Sequence, residues 1–194
     1  MNEPPPVLQL HLTPMRSTAR IGRKRHVLRR PRQPPTIDIR VESPLWKRKR
    51  NAKAVVRRAI RHASSALALS GGEVSVVLAD DVSVRALNRT WRHEDMPTNV
   101  LSFPVDAGNA DHARPHLLGD VVIAYQTVDH EANMQRKPFA QHLAHLAVHG
   151  FLHLVGYDHK TDDEAKAMEH LEALILARLD VPNPYIVRDI PADI

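Results

Sequence analysis

The chain has 194 residues, 43% of them apolar and 25% charged, which suits one soluble globular domain with a real core. It contains no cysteine, which excludes disulfides and thiolate metal ligands; any transition-metal site must use His with Asp or Glu, and 13 His are available. The net charge of +5 is uneven: residues 1–50 carry 13 Lys and Arg against 3 Asp and Glu, whereas residues 51–194 carry 14 against 19.

Residues 1–35 read as a disordered, basic, Pro-rich arm. NEPPPV opens it, RRPRQPP closes it, and RIGRKRHVLRR lies between. Proline and like charge prevent a packed core there. The arm is a nucleic-acid-binding tail that gains affinity from phosphates, a solvated extension, or sequence read from an upstream start codon with Met15 as the true start. No apolar run approaches the ~18 residues of a membrane span, and the N-terminus lacks the apolar core of a signal peptide. The expectation is a soluble, cytoplasmic protein without a membrane partner.

From residue 36 to 194 the pattern is that of one folded domain. TIDIRVE (36–42) alternates Ile37, Ile39 and Val41 as a strand requires. Ser43-Pro44 opens a long helical stretch, roughly 45–69, which Ser70-Gly71-Gly72 ends. EVSVVLA (73–79) is a second strand, and Asp80 or Asp81 caps a short helix running to about Arg92. HEDMPTN (93–99) is a loop, VLSFPV (100–105) a third strand, and 106–116 a polar, mobile loop. LGDVVIAY (118–125) is a fourth strand, apolar enough to be central. Helices follow near 126–135, 139–155 and 161–179, with a break at Lys137-Pro138. The order β-α-β-α-β-β-α-α-α predicts an α+β fold: a small mixed four-stranded sheet packed with about five helices.

The metal site is predicted from HGFLHLVGYDH (149–159). His149 and His153 are four apart on a helix, so their rings sit almost one above the other. Gly156 can take a left-handed conformation, end the helix and let the chain return His159 to the same point. Three neutral imidazoles suit one zinc ion and leave a fourth position open, as in catalytic sites. His145, one turn earlier, is either a fourth ligand or, the favoured reading, a residue that supports the ligands or packs, and His170 is a surface residue. Asp158 either orients His159 or caps the next turn.

The spacing H-x-x-x-H-x-x-G-x-x-H matches the zinc-protease pattern H-E-x-x-H-x-x-G-x-x-H, except that Gly150 stands where the protease keeps its general base. Glycine cannot move a proton, which disfavours peptide chemistry.

HLAVHGFLHLVGYDH (145–159), LNRTWRHEDMPTNVLSFP (87–104) and LLGDVVIA (117–124), with DDEAKAMEHLE (162–172) and NPYI (183–186), resemble the bacterial YbeY family of endoribonucleases, which act in ribosomal RNA maturation. The resemblance covers about 36–190. It implies a small α+β fold with a metal site in a cleft, the ion held by His149, His153 and His159, and Arg92 as an arginine of the active-site cleft. It further implies a single-strand-specific endoribonuclease of 16S 3′-end processing and ribosome biogenesis, with the rRNA precursor and the small ribosomal subunit as partners. The basic arm has no counterpart in the family pattern. A basic stripe of Lys47, Arg48, Lys49, Arg50, Arg57, Arg58 and Arg61 either follows RNA phosphates or is a solvated face. Two other readings stay open: a zinc metallopeptidase, and a non-catalytic ribosome assembly factor with a structural metal.

Overall fold

The computed structural model describes residues 33–105 and 117–186. The expected arm lies almost wholly outside the described residues, as does the expected loop 106–116.

Four strands form one mixed sheet. β1 is Thr36–Val41, β2 Glu73–Ala79, β3 Val100–Pro104 and β4 Leu117–Ala124. The order across the sheet is β1-β2-β4-β3, with β1, β2 and β4 parallel and β3 antiparallel to β4. The four-stranded α+β fold read from the sequence is therefore correct, including the interior place of β4. β3 and β1 are the edges.

Five α-helices surround the sheet: α1 Ala52–Ala66, α2 Asp81–Arg92, α3 Tyr125–Met134, α4 Phe139–Leu154 and α5 Asp162–Ala177. The long helix expected over 45–69 is in fact two pieces, a 3-10 turn at Pro44–Arg48 and then α1. The cause is Trp46. Its indole is 3% exposed, its Nε1–H donates to Ala79 O at 2.8 Å, and its ring meets Tyr125 and Phe139 edge-on at 5.3 and 5.9 Å. Docking that large side chain on the end of β2 fixes the turn before α1 can start, overriding the local periodicity. Two members of the basic stripe are engaged in ion pairs, Lys49 with Asp129 at 3.0 Å and Arg58 with Asp180 at 3.9 Å.

Alternation along the strands gives the sheet two covered faces. Val74, Val76, Leu78, Val121 and Ile123 point to the main core under α1 and α4. Val77, Ala79, Leu101, Val122 and Phe103 point to a smaller core with Val84 and Leu87 of α2. α2 and α4 thus lie on opposite faces. Among the described residues, no helix is long and apolar enough to cross a membrane.

Candidate metal centre

α4 carries the site because its composition lets it cross the interior. Leu143, Leu146, Ala147, Phe151 and Leu152 are buried, and the histidines occupy the remaining stripe. His149 and His153 are half-buried, one turn apart, with ring centroids 4.7 Å from each other. Gly156 takes φ +92° just past the helix end, the left-handed turn expected from the sequence. The chain then returns His159, whose ring lies 5.5 Å from that of His149 and 5.0 Å from that of His153.

One nitrogen from each of His149, His153 and His159 lies within 4.8 Å of the other two. The Nε2 atoms of His149 and His153 are 3.2 Å apart. Two nitrogens at ~2.0–2.1 Å from one tetrahedral ion would stand about 3.3 Å apart, so this pair is spaced for a shared metal. With no ion present, the same separation admits a hydrogen bond between the two rings. Two imidazole nitrogens this close repel unless a proton or a cation lies between them.

Glu172 on α5 completes the centre, and the sequence reading missed it. Its side chain is buried, and three donors converge on the carboxylate. His149 Nδ1–H reaches Oε1 at 2.8 Å, His145 Nε2–H reaches Oε2 at 2.7 Å, and the Tyr185 hydroxyl also bonds Oε2. A carboxylate only accepts, so the proton of His149 sits on Nδ1 and its Nε2 lone pair faces the other histidines. A carboxylate behind a ligating imidazole fixes ring orientation and raises ligand basicity. Burial alone would raise the pKa of Glu172, but the hydrogen bonds from His145 and His149 outweigh it and hold it down to about 2. Burial, with Glu172 next, pushes the Tyr185 phenol up, so it stays a donor. Burial first, then His149 and His159, hold His153 below the ordinary histidine pKa, which favours the neutral ring a metal needs. Glu172 did leave a sequence signal. It is the one carboxylate on a buried stripe of α5 formed by Met168, Ile175 and Leu176.

The other predicted residues fall as follows. His145 is an outer partner, tied to Glu172. His170 is exposed. The Asp158 carboxylate accepts from the His159 backbone N–H at 2.9 Å and pairs with Lys160 at 2.6 Å, so it caps the turn and does not bond the His159 ring. Hydrogen bonds from Lys160 and the His159 backbone bring its pKa to about 2. Arg92 stands exposed in the last turn of α2, and among the described residues its guanidinium has no hydrogen bond or ion pair. It does not touch the histidines. Both helices nevertheless end over β3: Trp91 meets Phe103 at a ring distance of 6.0 Å, and Ser102 Oγ donates to Gly150 O at 3.0 Å.

Gly150 has a packing role. A Cβ there would lie 2.8 Å from Val121 Cγ1, 3.1 Å from Ser102 Oγ and 3.2 Å from Val100 Cγ2. The position after the first histidine points into the sheet, where no carboxylate fits. Beside the centre, a cavity of about 570 Å³ is lined by His142, His145, Lys137 and Tyr185, among others.

Glu172→Gln is expected to keep the side-chain shape but turn part of the carboxylate into an amide that cannot accept from His145 or Tyr185. Metal affinity should fall about 10- to 100-fold, read by competition with a chromogenic chelator. Unchanged affinity would make Glu172 a packing residue only.

The sequence is similar to known proteins. A sequence profile of the family described as Endoribonuclease YbeY matches residues 39–180. A protein named Endoribonuclease YbeY from Rhodopseudomonas palustris (strain BisA53) is 50% identical over 161 residues, covering 80% of this chain and 93% of that protein. A Bradyrhizobium diazoefficiens protein of the same name is 46% identical over 159 residues, covering 79% and 87%. One from Nitrobacter winogradskyi is 46% identical over 172 residues, covering 86% and 90%.

Proposed function

The chain belongs to the YbeY family of endoribonucleases, and on that premise we propose that it is a zinc-dependent, single-strand-specific endoribonuclease of the cytoplasm that matures ribosomal RNA at the 16S 3′ end. The observation that carries the metal assignment is the convergence of His149, His153 and His159 with Glu172 behind His149. Three imidazoles without a thiolate suit zinc and leave a coordination position for substrate. When bound there, the ion supplies Lewis acidity, polarising a phosphoryl oxygen and making water acidic enough to attack near neutral pH.

The chain's own residues do the rest. Glu172 keeps the His149 proton on Nδ1 and so keeps Nε2 free. Tyr185 and His145 hold Glu172 ionised. Arg92 binds the scissile phosphate through its planar guanidinium and offsets charge that develops in the transition state. Its exposure in the last turn of α2, with no ion pair among the described residues, supports that role. The basic arm adds contacts to precursor rRNA, and the small ribosomal subunit is the larger partner. We assign catalysis to a single domain within residues 36–194 and treat residues 1–35 as an appendage.

The test is cleavage of an end-labelled single-stranded rRNA precursor by the purified chain, with casein as a second substrate. RNA should be cut, cutting should stop with a chelator and return with zinc, and casein should stay intact. Casein hydrolysis with intact RNA would reverse the assignment to peptide chemistry.

A further inference from the structure

Trp91 breaks the rule its spacing sets. It lies on the inner stripe of α2, three, four and seven residues after Asn88, Leu87 and Val84. Val84 is fully buried and Asn88 is 1% exposed, yet Trp91 is 67% exposed. The reason is the length of α2 relative to the sheet. β3 is the edge strand, and Trp91 overhangs it, touching Phe103 at a ring distance of 6.0 Å and leaving most of its indole in solvent. The other tryptophan, Trp46, is 3% exposed.

Arg92, the next residue, is exposed and among the described residues forms no ion pair, whereas Arg89 lies about 200° round the helix from the indole and its charge acts on Asp95. Arg85, one turn back, is spent on Asp95 through two hydrogen bonds of 2.9 and 2.8 Å. An exposed guanidinium next to an exposed indole can hold a phosphate while the indole stacks a base, without reading its sequence. Trp91 lies on the other face of the sheet from α4, so an RNA strand passes from one to the other round the edge strand β3. Phe103, under Trp91, is adjacent in β3 to Ser102, which bonds the carbonyl of Gly150, the neighbour of His149. A strand crossing the β3 edge meets both helix ends.

We propose that Trp91 is the stacking platform for an unpaired base of a single-stranded RNA, the base next to the phosphate held by Arg92; this rests on the endoribonuclease reading above. Trp91 is thus a positioning residue that binds substrate outside the reacting bond, and it supplies a physical basis for single-strand preference. A paired base has no free face to stack on it.

The experiment uses the full chain, in wild-type, Trp91→Ala and Trp91→Phe forms, with a 12-nucleotide oligouridylate as probe. The same strand with abasic riboses serves as control. With chelator present, RNA should quench the exposed tryptophan emission of the wild type, and the abasic strand should quench it far less. In cleavage, Trp91→Ala should raise KM about tenfold, within the ~5- to 100-fold range of one lost base stack, with kcat within about twofold. Trp91→Phe should recover most of the KM. The melting temperature should hardly move, since Trp91 is mostly in solvent. A wild-type KM in Trp91→Ala would overturn the platform while leaving the endoribonuclease reading intact. Base-dependent quenching without any cleavage would support the platform and remove the nuclease reading. No quenching by either strand would overturn the platform.

Discussion

His153→Ala is expected to lose bound metal and RNA cleavage together, with cleavage down at least about a hundredfold. His153 stands 3.2 Å from His149, nitrogen to nitrogen, and its removal leaves two ligands for an ion that needs three. An ion that polarises a phosphoryl oxygen contributes several kcal/mol to the transition state, so losing it accounts for a drop of that size. The fold should survive. His153 is half-buried at the end of α4, and alanine is the strongest helix former. Elemental analysis of the purified variant, circular dichroism and cleavage of labelled RNA read the three consequences separately. Full cleavage by a metal-free variant would take the histidines out of catalysis. Loss of fold in the variant, with no cleavage by the wild type, would assign the metal a structural role and favour an assembly factor.

Gly150→Glu restores the zinc-protease motif on paper, and it should abolish folding without producing a peptidase. Even a Cβ at 150 sits 2.8 Å from Val121 Cγ1, closer than real side chains tolerate. Overpacking by a methyl group costs about 1–3 kcal/mol. A carboxylate pressed against Val100 and Val121 adds the cost of burying an unpaired charge, several kcal/mol more. Together these reach the whole stability of an ordinary domain, about 5–15 kcal/mol. Gly150→Ala is the graded control and should be destabilised by about 1–3 kcal/mol in urea unfolding while retaining cleavage. A soluble, folded Gly150→Glu protein that hydrolyses casein would mean that position 150 turns toward the metal after all. The missing glutamate is therefore explained by how closely α4 lies on the sheet.

The sequence by itself determined the features that depend on near neighbours. Alternation of Ile37, Ile39 and Val41 marked β1, and β4 stood out as interior because it is apolar on both faces. The spacing of His149 and His153 needed only the helical period, and Gly156 needed only its own backbone freedom, so three candidate ligands were legible together. What only the tertiary structure decided depends on residues far apart in the chain. The long helix from 45 was divided because Trp46 docks on Ala79, 33 residues away. Glu172 became part of the centre because α5 lies against α4 and brings its carboxylate to His149, 23 residues earlier. Gly150 faces Val121 and Ser102, which periodicity in α4 cannot name. Trp91 follows the spacing of a core residue and is left outside only because the sheet ends at β3. Local patterns fix which face of an element is apolar; what lies opposite that face, and where the sheet stops, is set by packing between distant segments.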